Sequence, residues 1–318
     1  MLHISNQSEC PFSIIPINSL TWIRSIDSLF SFDIKAYDRE KNEPERTFTS
    51  MNQSNNPFSK LANFREVGGL QTTEGMVIKE RMIYRSADLS RLTKQDIEIF
   101  STLGIQTVCD LRTASERKSH PPKIKEHDKI VHIPMQPDSK MPSKWTMFRM
   151  LVTEGKSLSF TPIMKDLYQS MLTERKEEIQ QLFTLLSDQN NYPLMLHCTS
   201  GKDRTGFLSA LIQLAAGVPL PVVLSEYMRS NEGVQMLVKR QERFVQLMSL
   251  YRVSKEQIQP LVGVQQDYLE DVLHEMLETY GSAERYLIES CKVPEFQLNE
   301  MKNILLTPSA GIPSQKAE

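Results

Sequence analysis

One ten-residue stretch, His197-Cys198-Thr199-Ser200-Gly201-Lys202-Asp203-Arg204-Thr205-Gly206, limits what this chain can fold into more than any other. A short apolar run, Tyr192-Pro193-Leu194-Met195-Leu196, leads into it, reads as a strand, and is set off from what precedes by Asn190 and Asn191. The run that leads out, Phe207 to Ala216, is rich in helix formers and stops at Gly217, a C-terminal cap signal. Strand, tight loop and helix N-terminus in succession aim several backbone N–H groups and the positive end of a helix dipole at one point. That point suits a phosphate.

The residue types in the loop match one chemistry. An ordinary thiol, with a pKa of about 8.5, is a poor nucleophile at pH 7, but a helix N-terminus and nearby cations lower that value. Cys198 is therefore the candidate nucleophile, attacking phosphorus as a thiolate. Arg204 offers a planar fork of donors that matches two phosphoryl oxygens, which a lysine cannot do. Thr205 brings a hydroxyl near the sulfur, and Gly201 and Gly206 let the backbone turn tightly and approach a ligand closely. Thr199, Ser200, Gly201 and Lys202 complete the candidate substrate-binding loop around a phosphocysteine intermediate.

Two rival readings fail on spacing. In a nucleotide-binding loop the first glycine would fall where Leu196 stands, and Lys202 would precede Ser or Thr instead of Asp203. A zinc site needs clustered ligands, whereas Cys10, Cys109 and Cys291 are lone and widely spaced. No cofactor and no metal is called for.

At these residues the chain resembles the cysteine-based tyrosine phosphatases. The Lys202-Asp203 pair is similar to the bacterial PtpB/LipA-type branch, whose members act on phosphotyrosine and often on phosphoinositides. Asn63-Phe64-Arg65-Glu66-Val67-Gly68-Gly69 resembles the opening motif of that branch, with Glu66 and Val67 in place of the commoner Asp and Leu. Tyr280-Gly281-Ser282, followed by Glu284, Tyr286 and Leu287, resembles its closing helical segment. The resemblance covers roughly residues 57–306. It implies the cysteine-phosphatase fold with a helical lid over the site, for which the segment around 233–280 is the candidate.

The rest of the chain is read from pattern. Met82–Arg85, Gln106–Leu111 and Lys129–Pro134 are strand candidates, and Thr93 opens a helix with a near capping box that Gly104 ends. Helical spacing returns at Ile163, Met164, Leu167, Tyr168 and Met171, again at Ile179, Leu182, Phe183 and Leu186, and dominates beyond Gly217. Strands alternating with helices argue for an α/β fold, a mostly parallel central sheet flanked by helices. Phe30, Phe32, Ile34 and Ala36 alternate with polar residues, so residues 1–56 are expected to form a small β-rich extension, 57–306 the catalytic domain and 307–318 a disordered tail.

With 318 residues and a net charge of −2 at pH 7, the chain has room for a large core and no global attraction for nucleic acid or a membrane surface. Scattered cysteines suit a reducing compartment. Met1 to Cys10 lack the basic and apolar regions of a signal peptide, and no run is long enough to span a bilayer, so a cytoplasmic location is expected. Export of the relatives makes secretion the lesser alternative. The partner called for is a phosphoprotein or a phospholipid headgroup; the oligomeric state is not legible.

A leaving oxygen needs a proton donor, worth about 10²–10⁴ in rate. Three aspartates compete: Asp203 inside the loop, Asp110 at the end of a predicted strand, and Asp138 after the next one. They rank in that order. His197 is read as orienting the loop, and Arg65 and Arg85 as structural ion-pairing residues. The function expected is that of a phosphomonoesterase acting on phosphotyrosine, with phosphoserine, phosphothreonine and phosphoinositides as further substrates. In that extension Lys202 is a second cation for a second phosphate. A catalytically idle phosphate-binding module of the same fold is the alternative.

Overall fold

The computed structural model describes residues 56–124, 129–136, 149–150, 153, 155–157, 159–249 and 251–309. The expected β-rich extension, save its last residue, lies outside them, as do Asp138 and residues 310–318.

The strands are β1 (Arg65–Glu66), β2 (Met76–Ile78), β3 (Ile83–Ser86), β4 (Thr107–Asp110), β5 (Lys129–His132), β6 (Leu194–His197) and β7 (Leu306–Pro308). Five of them form one sheet in the order β1-β3-β6-β4-β5, with β1 antiparallel and the other four parallel. Every residue of β3, β4 and β6 is buried, as expected of parallel strands covered on both faces. Successive side chains point to opposite faces. Leu194 and Leu196 join Ile83 and Cys109 in the main core, while Met195 joins Tyr84 and Val108 in a second one with Leu89, Leu92 and Phe100. The strand ladder begins at Leu194, two residues later than the apolar run suggests, because Pro193 has no N–H to donate.

The register carries the functional consequence. Ser86, His197, Asp110 and His132 lie in one row across the carboxyl edge of β3, β6, β4 and β5. Strand β6, the last of this sheet in sequence, is thus inserted between the first two parallel ones, and the loops leaving all three meet above it. Such a switch point is where open α/β sheets bind ligands.

Helices cover both faces. On one side lies α1 (Lys94–Thr102), which opens on a full capping box between Thr93 and Asp96; the short α2 (Ala114–Ser119), with no buried residue, opens on a second between Thr113 and Glu116. The other face carries α3 (Thr161–Glu174), α4 (Lys176–Leu186), α5 (Asp203–Ala215) and α6 (Leu220–Met228). Helix α5 begins four residues before the first purely apolar helical residue, so Asp203 and Arg204 already belong to its first turn.

Then follow α7 (Gln235–Met248), α8 (Lys255–Val262), α9 (Gln266–Tyr280) and α10 (Glu295–Leu305). Of the expected lid around 233–280, only α7 and α8 stand apart, sharing a small apolar cluster of Val245, Val253, Ile258 and Val262 with Phe160. Helix α9 is built into the main core through Tyr268, Leu269, Leu273 and Met276. Thr307 and Pro308, expected to open a disordered tail, instead pair antiparallel with Val77 and Met76. There the edge of β2 offers free backbone groups, and an edge strand tolerates the proline. No helix among the described residues is long and apolar enough to cross a membrane.

Candidate active site

Cys198 follows the last residue of the central strand, and the loop it opens closes on itself. The Gly201 N–H donates to Cys198 Sγ at 3.2 Å, with Gly201 in the left-handed region at φ 68°. A Cβ at position 201 would fall 2.4 Å from Ser86 O, so the loop lies directly on the end of β3 and only glycine fits there. Thr205 is fully buried at the loop's far end, and its hydroxyl has no partner among the described residues. Thr199, Ser200 and Asp203 are half-buried at the mouth.

Arg204 is held by a residue that the sequence reading missed. Glu116 accepts from both guanidinium ends, Nη1 at 2.7 Å and Nη2 at 2.9 Å, and also from Thr199 Oγ1 at 2.5 Å. Burial by itself would raise the Glu116 carboxyl, but the charge and hydrogen bonds of Arg204, with help from Thr199, bring it well below the usual range. Burial likewise opposes the charge on Arg204, and Glu116 more than restores it. Glu116 is the third residue of α2 and closes its capping box, where its Oε2 also accepts the Thr113 N–H at 2.8 Å. The Thr-x-x-Glu pattern after a strand was the available signal. The Thr199 side chain is thereby committed to Glu116 and Arg204, leaving its backbone N–H for a ligand.

Asp110 does not stand where an acid must. It is 0% exposed, and its two oxygens accept from Arg112 Nε at 2.9 Å and Nη2 at 2.7 Å. Burial pushes its carboxyl up, but His197 and Arg112 outweigh that, so it is held below its ordinary value and has no proton to give at neutral pH. Its work is structural: Arg112 passes on to Asp88 at 2.7 Å, and the Asp88 N–H donates to Thr199 O at 3.2 Å at the start of the loop. His197, fully buried, faces Asp110 at 3.6 Å, and burial lowers its pKa.

Asp203 is differently placed, in the first turn of α5 with its side chain 13% exposed. The Tyr168 hydroxyl donates to its Oδ1 at 3.0 Å and lies 2.7 Å from the Tyr227 hydroxyl. Lys202 Nζ reaches Asp203 Oδ2 at 2.9 Å and donates to Leu261 O and Gly263 O, each at 3.0 Å. An ammonium has three donors, and all three are in use. At 4% exposure Lys202 therefore ties the loop to the end of α8, and is not the mobile second cation that the sequence suggested.

On the β3 side, Arg65 pairs with Glu226 at 2.5 Å, as expected of a structural arginine. Arg85 does not; it donates to Gly201 O at 2.9 Å, and the same carbonyl accepts from Asn63 Nδ2 at 2.7 Å. Neither Asn63 nor Glu116 was singled out from sequence.

Comparison with known proteins bears on the family of the chain. The profile of a family described as "Tyrosine phosphatase family" matches residues 56–307. The triple specificity protein phosphatase PtpB of Mycobacterium tuberculosis is 28% identical over 272 residues, covering 77% of this chain and 96% of its own. A putative tyrosine-protein phosphatase of Cupriavidus necator is 26% identical over 241 residues, covering 76% and 85% respectively. Among solved structures, P. aeruginosa TpbA aligns at 14% identity over 56% of this chain and 88% of its own, with a TM-score of 0.27. The fold assignment stands on the strand order instead.

Proposed function

The chain belongs to the tyrosine phosphatase family, and on that premise we propose that it hydrolyses phosphate monoesters, phosphotyrosine first, through a phosphocysteine at Cys198. The observation that carries this reading is the loop itself: a cysteine sulfur facing a backbone amide at 3.2 Å, with the fork of Arg204 oriented by Glu116 at the same helix N-terminus. In the first step Cys198 Sγ bonds to phosphorus while the ester bond breaks. Arg204 and the loop amides hold the equatorial oxygens, where charge develops. Asp203 gives its proton to the leaving oxygen. Water then attacks phosphorus, Asp203 takes back the proton, and the P–S bond breaks to release phosphate and the free sulfur.

Asp203 is preferred as acid because it lies at the half-buried mouth, whereas Asp110 is sealed under Arg112. The words "triple specificity" in the name of the mycobacterial relative support a breadth beyond phosphotyrosine, for which phosphoserine, phosphothreonine and phosphoinositides are the substrates to test. That breadth does not draw on Lys202, whose donors are taken.

The test is Cys198→Ser. Turnover of p-nitrophenyl phosphate and of phosphotyrosine peptides should vanish, while tungstate or a phosphopeptide still binds through Arg204 and the amides. Turnover above a trace in this variant overturns the mechanism. Parallel assay of phosphoserine peptides and individual phosphoinositides with the wild type fixes the breadth, and silence on every lipid removes that part.

A further inference from the structure

Behind the loop lies a buried cation that the chemistry above does not use. Arg85, in β3, is 1% exposed, and among the described residues no carboxylate pairs with it. Glu226, the carboxylate of this region, is already shared by Arg65 and Arg229. Arg85 Nη2 donates to Gly201 O and reaches Ser230 Oγ at 3.4 Å, while Nε has no partner. Burial, with the neighbouring charge of Arg65, lowers Arg85 to about 9, which still leaves it a cation at neutral pH. A buried charge without a counter-ion is costly, and a neutral side chain of similar size would fill the space without that cost.

Asn63 converges on the same carbonyl and is itself locked. Its N–H donates to Gly233 O at 3.1 Å, its Oδ1 accepts from Arg65 Nη1, and a Cβ at Gly233 would fall 2.4 Å from that oxygen. Gly201 is the residue of the loop with the greatest freedom to rotate its peptide, and it cannot be replaced by a stiffer one. In a trans peptide the C=O and the next N–H point in opposite directions. Rotated the other way, the Gly201 carbonyl would aim its lone pairs at a bound dianion.

We propose that Arg85 and Asn63 are positioning residues for the reaction: by drawing the Gly201 carbonyl outward they keep the Lys202 N–H turned to the phosphoryl oxygens, and the unpaired charge of Arg85 answers the dianion in front of it. This rests on the reading of the loop as a phosphate site. The pair acts through the backbone and touches no substrate.

The experiment uses the full chain and tungstate as the phosphate-like probe. Wild type, Asn63→Ala, Arg85→Met and Arg85→Lys are compared by calorimetric titration, by p-nitrophenyl phosphate kinetics, and by melting with and without tungstate. Arg85→Met should bind tungstate about 10- to 100-fold more weakly, as for a lost charge-assisted hydrogen bond, and Asn63→Ala about 3- to 10-fold, as for a neutral one, each losing a matching part of its ligand-induced melting shift. Arg85→Lys, which keeps the charge, should recover part of the affinity. Cooperatively folded variants that bind tungstate as the wild type does would overturn the inference, because a merely structural pair would move the melting point alone. Should none of the variants fold, the wild type decides. The ¹⁵N-labelled Lys202 amide must shift on adding tungstate, and an unmoved resonance overturns the inference. Failure of the wild type itself to bind tungstate would instead sink the phosphate-site reading.

Discussion

On the β4 flank of the catalytic loop, cations and carboxylates are matched: Arg204 with Glu116, and Arg112 with Asp110 and Asp88. On the β3 flank, Arg65 and Arg229 share Glu226, and Arg85 beside them pairs with no carboxylate among the described residues. The matched flank, with three carboxylates to two arginines, has no positive charge left over; what it supplies is geometry, since a bidentate pair fixes the plane of the Arg204 guanidinium. The unmatched flank supplies surplus positive charge at the back of an anion site. Placement and attraction are thus assigned to opposite sides of one loop.

The same conservative change on each flank sharpens that division. Arg204→Lys keeps the charge but discards the fork, so kcat/KM should fall about 10²–10³-fold, comparable to loss of a preorganised oxyanion donor. Arg85→Lys should cost much less, because charge is most of what that position contributes. Equal losses, measured side by side on one substrate, would erase the distinction between the flanks.

Asp203 also holds Lys202 and Tyr168, so its part in proton transfer is read from the dependence on the leaving group. Asp203→Asn should lower turnover of phosphoserine or an alkyl phosphate about 10²-fold while sparing p-nitrophenyl phosphate, whose phenolate departs without a proton. A uniform loss across leaving groups would make Asp203 a binding residue.

The smallest effect expected is on stability. The Glu116 carboxyl is depressed in the folded state, so its contribution is fully present above the unfolded-state value of about 4.3 and is lost as the pH falls through the lower folded value. Glu116→Gln should therefore be less stable than wild type by about 1–3 kcal/mol above pH 5. The gap in melting temperature should close on acidification below pH 4. A gap that stays constant through the acid range would show that the Glu116 charge does not hold the β4 flank together.

What could be read from the chain follows from locality. The capping box at Thr93, the short apolar run of the central strand, and the run from Cys198 to Thr205 are decided by neighbours within a helical turn or a strand pleat. Glu116 was legible as a cap and illegible as the partner of Arg204, because nothing local says which loop a capping carboxylate will face. Lys202 looked like a free cation for the same reason. The carbonyls that accept its hydrogen bonds, Leu261 and Gly263, lie about sixty residues further on and are brought in by the packing of α8.

By itself, then, the sequence determined the candidate nucleophile, its arginine and the strand-loop-helix that presents them, since ten contiguous residues set their own backbone geometry. Only the tertiary structure separated Asp203 from Asp110, pinned Lys202, and recruited Glu116, Arg85 and Asn63. Glu116 reaches Arg204 across 88 positions and Asn63 reaches Gly201 across 138. Such pairings depend on the register of parallel strands and on which helix covers which face. The choice between two aspartates turns on burial and ion pairing, which no local pattern encodes.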